Sequence, residues 1–289
     1  MYAIEDQQLK ISIHPKGAEL QSIFHKGLQT EYMWNGDPAF WGKHSPLLFP
    51  MVGTLKDNTY YYGDKAFHLS RHGFARDREF DVETQSADAI TFLLKSDAAS
   101  LAVYPFAFEL RVGYAISGAS LTTTYRVTNP ADSLLYFSVG GHPAFKVPLV
   151  ADTAYADYYL EFDKPETAGR WPISKDGLIG REPVPLLDDT RRLPLTKELF
   201  ARDALVFKGL HSTAVTLRSA RTERGLRMDF PGFPFLGIWA GPGADFVCLE
   251  PWCGIADPVD SNQRWTGKEG INRLEGGETF ERSWTLKLF

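Results

Sequence analysis

The strongest constraint on the fold is a period-two alternation of apolar and polar side chains, which short clusters of Gly, Pro, Asn and Asp interrupt. Residues 9–13 (Leu-Lys-Ile-Ser-Ile) alternate in this way, and residues 108–116 and 121–127 flank a turn-forming Ser-Gly-Ala-Ser sequence. Because successive side chains of a strand point to opposite faces of a sheet, this pattern predicts strands joined by hairpins. No long stretch repeats apolar residues with the helical period of about 3.6, so the chain is expected to be all-β.

Many strands with short turns are typical of a sandwich or a barrel, and a chain of 289 residues favours a large antiparallel β-sandwich that forms one domain over residues 1–289. One short helix is predicted at residues 196–202, with Thr196 as its N-cap. Residues 163–195 are rich in Pro, Gly and charge, and they are predicted to form loops. The predicted strands are residues 9–13, 18–24, 59–62, 65–69, 89–95, 108–116, 121–127, 134–139, 157–162, 204–207, 213–219, 225–230, 235–240, 245–250 and 279–288.

Charge and composition exclude several classes of protein. The net charge of −5 and the absence of a basic tract argue against nucleic acid as a partner, because phosphate contacts need a positive surface. The first residues show no secretory signal, and no run approaches the roughly 20 apolar residues that span a bilayer, so we expect a soluble, cytoplasmic protein without a membrane partner. Two cysteines, Cys248 and Cys253, are too few for a disulfide framework or a four-ligand zinc site, and we expect both to be reduced.

Three distant segments place titratable side chains among Gly, Pro and aromatic residues: Arg71–Arg76 (RHGFAR), Gly140–Phe145 (GGHPAF) and Cys248–Trp252 (CLEPW). Glu250 ends an apolar strand, where a buried carboxylate needs partners. His142 follows two glycines and precedes a proline, which restricts it to extended conformations. Together with a second histidine in the first segment, these side chains offer acids and bases that suit proton transfer near neutral pH.

Other side chains are candidates for binding an oxygen-rich ligand. Arg76 offers a planar fork of donors, and Asp203 could accept hydrogen bonds from sugar hydroxyl groups. Trp239 could stack on the C–H face of a pyranose, and the chain contains 7 Trp, 12 Tyr and 20 Phe from which such a site could be built. Lys56, which follows an apolar Phe-Pro-Met-Val-Gly stretch, and His72 complete the set of candidate binding residues.

These segments, in this order, resemble the aldose 1-epimerase (galactose mutarotase-like) family, and most closely its LacX-type branch. The resemblance also includes Gly17–Ser22, Trp34–Pro38 and Leu48–Pro50. It implies a large antiparallel β-supersandwich and a reaction that interconverts the α and β anomers of a free aldose, with no metal or other cofactor. The resemblance implies these roles: base for Glu250, acid for His142, ring-oxygen contact for His72, substrate binding for Asp203 and pocket lining for Trp239.

One departure from the family leaves the substrate open. Mutarotases usually carry an arginine in a Gly-Arg segment where this chain has Gly53–Asn58 (GTLKDN), so Lys56 or Arg76 could replace it. The His-Gly-Phe-Ala-Arg sequence also resembles the hexose-6-phosphate epimerase branch, in which an arginine binds phosphate. The expected partner is therefore a small sugar or sugar phosphate, bound by a monomer or homodimer.

Two other readings of the same residues remain open from the sequence. A sugar-binding or sensing protein would keep the pocket without catalysis. A metalloenzyme would use His72, His142 and Glu250 as a two-histidine, one-carboxylate site, although nothing else in the sequence points to a metal. For the epimerase, we expect the resting state to have an ionised Glu250 and a protonated His142.

Overall fold

The computed structural model describes all 289 residues, Met1–Phe289. The strands are, in chain order, Tyr2–Glu5 (β1), Leu9–His14 (β2), Glu19–His25 (β3), Thr30–Glu31 (β4), Leu47–Leu48 (β5), Thr59–Tyr62 (β6), Lys65–His68 (β7), Asp81–Gln85 (β8), Ala89–Lys95 (β9), Glu109–Ser117 (β10), Ser120–Thr128 (β11), Leu135–Phe137 (β12), Val139–Gly141 (β13), Ala144–Lys146 (β14), Tyr158–Arg170 (β15), Val184–Pro194 (β16), Leu205–Lys208 (β17), Ala214–Ser219 (β18), Leu226–Asp229 (β19), Phe235–Trp239 (β20), Phe246–Cys253 (β21), Asn272–Leu274 (β22) and Thr279–Leu288 (β23). One α-helix (α1) spans Ala98–Val103. Short 3₁₀ turns lie at Lys56–Asn58, Ala75–Asp77, Tyr155–Asp157, Lys197–Phe200 and Trp265–Gly267.

The strands form three main antiparallel sheets and two small two-stranded ones. The largest sheet has nine strands in the order β16-β15-β18-β19-β23-β11-β10-β9-β8. A six-stranded sheet has the order β17-β20-β21-β13-β5, with β14 also paired to β21, and β1 to β4 form a four-stranded sheet. The six-stranded sheet therefore brings β13, β14, β20 and β21 side by side, although they come from two distant parts of the chain.

The apolar residues of the alternating pattern lie on the buried face of each sheet. In β10, Leu110, Val112 and Ile116 are buried while Arg111 and Ala115 point outwards. One continuous apolar core of 68 buried residues takes side chains from all three main sheets. No helix of the chain is long and apolar enough to cross a membrane.

The predicted all-β, antiparallel fold is confirmed, and most predicted strands are found within a residue or two. Residues 134–139 are divided between β12 and β13, and the predicted helix at 196–202 is a 3₁₀ turn in which the Thr196 side chain makes no capping hydrogen bond. The α1 helix was not predicted. It is fixed by a capping box, in which the Asp97 side chain accepts from the Ser100 backbone N–H and the Ser100 hydroxyl accepts from the Asp97 N–H.

The prediction that residues 163–195 form loops is wrong for residues 163–170 and 184–194, which lie in strands, and holds for residues 171–183. β15 continues to Arg170 and pairs antiparallel with β16, which spans Val184–Pro194. Three register shifts interrupt this pairing, the first between Glu161 and Glu166. The next buried position of β15 after Phe162 is Glu166, whose carboxylate accepts a hydrogen bond from the backbone N–H of Ser212, so the apolar alternation that reveals a strand in the sequence ends there. β16 is also the edge strand of the sheet and most of its residues are exposed, which explains its polar composition.

Candidate active site

Glu250 projects from a strand in which every residue is buried. It lies in β21 and is paired with Gly237 of β20. Trp252, two residues further along, points to the same face, and a Cβ at Gly237 would lie 2.4 Å from its ring. The glycine therefore leaves the space into which the indole packs. Only 2% of the Glu250 side chain is exposed, so the sheet holds a carboxyl group almost out of contact with bulk water.

His142 is brought to Glu250 by the short connection between β13 and β14, two strands that both pair with β21. Its Nε2 atom lies 3.4 Å from Oε2 of Glu250. The two preceding glycines are required by packing. A Cβ at Gly140 would lie 2.7 Å from Cδ1 of Trp252, and one at Gly141 would lie 2.6 Å from the hydroxyl of Tyr125. Sheet pairing and close packing thus set the position of the imidazole.

Burial displaces the pKa values of this pair in opposite directions. It raises the pKa of Glu250 well above its usual range, and the nearby Arg71 acts the other way. Burial lowers the pKa of His142 to about 3, while Arg76 and Arg71 disfavour its charged form further. Both shifts favour the uncharged forms, a protonated Glu250 and a neutral His142. The expectation of an ionised Glu250 beside a protonated His142 is therefore reversed for the unliganded protein.

His72 is held as a neutral hydrogen-bond donor. The backbone N–H of Gly53 donates to His72 Nδ1 at 3.1 Å, so the proton of the neutral ring resides on Nε2. Burial lowers the pKa of His72 well below its usual range, and His142 and Arg71 contribute in the same direction. The rings of His72 and His142 meet edge to face with centroids 5.7 Å apart. His72 therefore presents an N–H group beside the acid/base pair.

Aromatic rings enclose the other side of His142. Trp41 stacks on the imidazole with ring centroids 5.0 Å apart and an interplanar angle of 26°. The ring of Trp239 meets both His142 and Trp41 edge-on, at 5.8 and 5.5 Å. Trp41 was not predicted as a site residue, because it lies in a loop where no spacing pattern marks it.

These side chains line one cavity of about 700 Å³, which is large enough for a hexose or a hexose phosphate. Lys56 is not part of its lining: the Lys56 backbone N–H donates to Asp257, and its ammonium group lies 3.5 Å from the carbonyl oxygen of Ser261. The structure therefore brings together six of the seven predicted site residues, namely His72, Arg76, His142, Asp203, Trp239 and Glu250.

The segment between β15 and β16, residues 171–183, forms part of the cavity wall. It contributes Ile173, Lys175, Gly177 and Ile179. The backbone N–H of Ile179 donates to the carbonyl of Asp257 at 2.9 Å, which fastens the segment to the loop after β21. Part of the region 163–195 therefore lines the cavity.

Asp203 reaches the cavity from a turn before β17 with an uncommon backbone conformation. Its φ of +106° lies in a region that side chains rarely adopt. Its carboxylate accepts a hydrogen bond from the backbone N–H of Ala204 at 2.7 Å. Such strain is common where a fold must aim a side chain at a ligand.

The cavity carries more positive than negative side chains. Two acidic residues, Asp203 and Glu250, face four basic ones: Arg71, Arg76, Lys175 and Arg202. Because Glu250 tends to hold a proton, the excess of positive charge is larger than the count alone indicates. Lys175 and Arg202 were not predicted, since both are exposed loop residues with no motif around them.

An antiparallel β-sandwich with a carboxyl–imidazole pair in a deep cavity agrees with the comparisons to known proteins. The chain belongs to the aldose 1-epimerase family, whose model matches residues 1–272. It is 34% identical over 295 residues to the chromosomal protein LacX of Lactococcus lactis subsp. lactis, with 99% of this chain and 98% of that protein covered.

Two solved structures share both the fold and more than 30% of the sequence. A galactose mutarotase related enzyme from Lactobacillus acidophilus superposes with a TM-score of 0.93 at 36% identity, covering 100% of this chain and 97% of the other. A galactose mutarotase-like protein from Lactobacillus casei gives a TM-score of 0.91 at 34% identity, with both chains fully covered. The resemblance drawn from the sequence motifs is thereby confirmed.

Proposed function

We propose that this protein is an aldose 1-epimerase that interconverts the α and β anomers of a hexose, with Glu250 as base and His142 as acid. The observation that carries the proposal is the 3.4 Å separation of His142 Nε2 and Glu250 Oε2 inside a cavity of sugar size. In a pyranose, the hydroxyl oxygen on C1 and the ring oxygen are bonded to the same carbon. An acid and a base this close together can therefore reach both oxygens at once.

The reaction follows from two proton transfers. Glu250, as carboxylate, takes the proton of the C1 hydroxyl, and the electrons of that O–H bond form the carbonyl of the open-chain aldehyde. The bond between C1 and the ring oxygen breaks, and His142, as imidazolium, protonates the ring oxygen. Rotation about C1–C2 and the reverse steps close the ring on the other face. Each transfer by a positioned side chain typically contributes about 10²–10⁴-fold in rate.

The pair already holds the one proton that this scheme needs. Burial favours this proton on Glu250, so catalysis requires its transfer to His142. Arg71 favours the ionised form of Glu250, which assists this transfer. We assign the remaining side chains to substrate binding: the N–H of His72 to an oxygen at the reacting centre, Asp203 and Arg76 to hydroxyl groups, and Trp239 to an apolar face of the sugar.

A second candidate substrate is a hexose 6-phosphate. The four basic side chains of the cavity favour it, because an uncharged sugar has no need of them, whereas Arg and Lys bind phosphate oxygens strongly. Polarimetry of freshly dissolved α-D-glucose and α-D-galactose, followed by exchange NMR of the anomers of glucose 6-phosphate, separates the possibilities.

Faster equilibration of a free sugar supports the first substrate class, and acceleration confined to the phosphate supports the second. If no sugar equilibrates faster but calorimetry detects binding, the protein is a sugar-binding module and the epimerase proposal fails. Arg202→Gln is the informative variant, because it should weaken the reaction of the phosphate more than that of a free hexose.

A further inference from the structure

A buried thiol that the proposed reaction does not use lies beside the acid/base pair. Cys248 is in β21, two residues before Glu250, so both side chains point to the same face of the strand. It is paired with Trp239 of β20 on one side and Ala144 of β14 on the other, and it is fully buried. The other cysteine, Cys253, lies at the end of the strand with its sulfur 3.9 Å from the carbonyl of Gly232.

The thiol, the imidazole and the carboxyl group form a cluster of possible metal ligands. Ligand atoms of His142, Cys248 and Glu250 all lie within 4.8 Å of one another, and all three residues are buried. Zinc binds nitrogen and oxygen at about 2.0–2.2 Å and sulfur at about 2.3 Å in a tetrahedral geometry, which places two ligand atoms about 3.3–3.8 Å apart. The His142–Glu250 distance of 3.4 Å falls in this range, whereas the ligand atoms of the cluster as a whole are bounded only to within 4.8 Å, so the Cys248 sulfur would have to move towards the ion by up to about 1 Å.

The nitrogen of His142 that faces Glu250 is Nε2, so Nε2 would be the ligand, and the buried, unpartnered Nδ1 lies on the other side of the ring. The cavity beside His142 and Glu250 gives access for an ion and for an additional ligand such as water. The thiolate and the carboxylate would together offset the two charges of the ion, whereas Arg71 and Arg76 would oppose its entry.

We propose that His142, Cys248 and Glu250 form an inhibitory site for one thiophilic divalent cation, with Zn²⁺ and Cd²⁺ as the preferred ions. The ion takes up the carboxylate and the imidazole that would otherwise transfer protons, so the loaded protein cannot catalyse anomer interconversion. The thiolate sets the preference, because Mg²⁺ and Ca²⁺ favour oxygen ligands and do not select this donor set. The site goes beyond the proposed function, in which no metal takes part.

Metal binding is tested first without reference to activity. Co²⁺ added to the protein should produce the near-ultraviolet charge-transfer band of a thiolate ligand, and calorimetry with Zn²⁺ should show one ion per chain. Cys253→Ser is the matched control, because it removes the only other thiol and should leave band and affinity unchanged. Cys248→Ser should abolish the band and weaken Zn²⁺ binding by at least about tenfold, since even changes behind a metal ligand cost this much.

The proposal is overturned if wild type shows no thiolate band, or if Cys248→Ser binds Zn²⁺ as tightly as Cys253→Ser. If circular dichroism shows that Cys248→Ser does not fold, the thiolate band of Cys253→Ser decides the test, because Cys248 is the only thiol of that variant.

Inhibition is measured on whichever sugar the wild type equilibrates. Zn²⁺ should abolish the rate and EDTA should restore it, while Mg²⁺ at the same concentration should have no effect. Zinc that binds without inhibiting contradicts the placement of the site, and a protein without epimerase activity refutes the proposed function while leaving the binding result intact.

Discussion

Nε2 of His142 lies 3.4 Å from Oε2 of Glu250, and 11% and 2% of the two side chains are exposed. At this distance the two groups titrate as a pair rather than as independent residues. Burial favours the uncharged form of each, so the carboxyl group retains its proton to higher pH and the imidazole loses its proton at lower pH than in water. Burial therefore disfavours the form that the proposed reaction needs, in which the one proton of the pair is on His142.

Because of these shifts, we predict a broad pH optimum in which protonation of His142 limits the rate on the acid side and deprotonation of Glu250 limits it on the alkaline side. The rate should fall on the acid side as the pair gains a second proton, near the His142 pKa of about 3. It should fall on the alkaline side as the pair loses its only proton, through the raised pKa of Glu250. The measurement is kcat/KM from pH 3 to 10, with circular dichroism at each pH to separate unfolding from titration. Limbs near the ordinary values of 4.5 and 6.5 would show that burial does not govern the pair.

The same raised pKa makes Glu250 a pH-dependent cost to stability. A group whose pKa is higher in the folded state stabilises the protein fully below its unfolded pKa, here about 4.5, and loses that contribution as pH rises. Glu250→Gln should therefore become more stable relative to wild type between pH 5 and pH 8. Urea unfolding at both pH values measures the difference, with the exposed Glu182→Gln as control. An equal effect of Glu250→Gln at both pH values would contradict the raised pKa.

Gly141→Ala should displace His142 through a steric conflict with Tyr125. The added Cβ would lie 2.6 Å from the Tyr125 hydroxyl and 3.3 Å from Nε1 of Trp284. Overpacking of this kind typically costs about 1–3 kcal/mol, and we expect activity to fall with it because His142 is the next residue. Tyr125→Phe removes the oxygen, so the double variant should regain part of both losses relative to Gly141→Ala. If the double variant is no better than the single one, the conflict does not lie with this hydroxyl.

A buried ion pair behind the cavity wall should matter for folding. Nζ of Lys268 lies 2.7 Å from Oδ1 of Asp257, and only 2% and 3% of their side chains are exposed. The other oxygen of Asp257 accepts from the backbone N–H of Lys56 and from the Ser261 hydroxyl. Lys268→Met leaves a buried, uncompensated carboxylate and should cost about 3–5 kcal/mol in the free energy of unfolding.

The matched control for this pair also removes the charge of Asp257 but keeps a hydrogen-bond acceptor at that position. The double variant Lys268→Met with Asp257→Asn leaves no uncompensated charge, and its amide oxygen can still accept from the backbone of Lys56. In urea unfolding, the free energy of unfolding of the double variant should be well above that of Lys268→Met. A double variant that is less stable than Lys268→Met would show that the ion pair itself, rather than the avoidance of a lone charge, stabilises the wall.

The strands could be predicted wherever one face of the sheet is buried and pairing is regular. β10 and β11 pair without interruption from Glu109–Thr128 to Ser117–Ser120, and the sequence alternates accordingly. The second half of β15 and β16 could not be predicted, because the next buried position of β15 after Phe162 is Glu166 and β16 is a mostly exposed edge strand. Local sequence also cannot distinguish an α-helix of six residues, held by one capping box at Asp97, from a turn.

The site could be predicted only in part, and for a similar reason. His142 and Glu250 stand in motifs whose Gly, Pro and aromatic neighbours reflect close packing, so the sequence marks them. Lys56 was predicted from its position near Gly53, but its backbone N–H donates to Asp257 and its side chain lies outside the cavity lining. Trp41 and Arg202 reach the cavity from loops, where only the folded chain shows which side chains converge.

The measurement that most directly tests the account is polarimetry of freshly dissolved α-D-galactose with wild type and with Glu250→Gln, which keeps the size of the side chain but removes the base. Wild type should accelerate equilibration, and Glu250→Gln should lose about 10²–10⁴-fold of the rate while still binding galactose by calorimetry. If hexose 6-phosphates prove to be the substrates, the same comparison applies to them by exchange NMR. Acceleration by Glu250→Gln equal to that of wild type would contradict the assignment of Glu250 as the base.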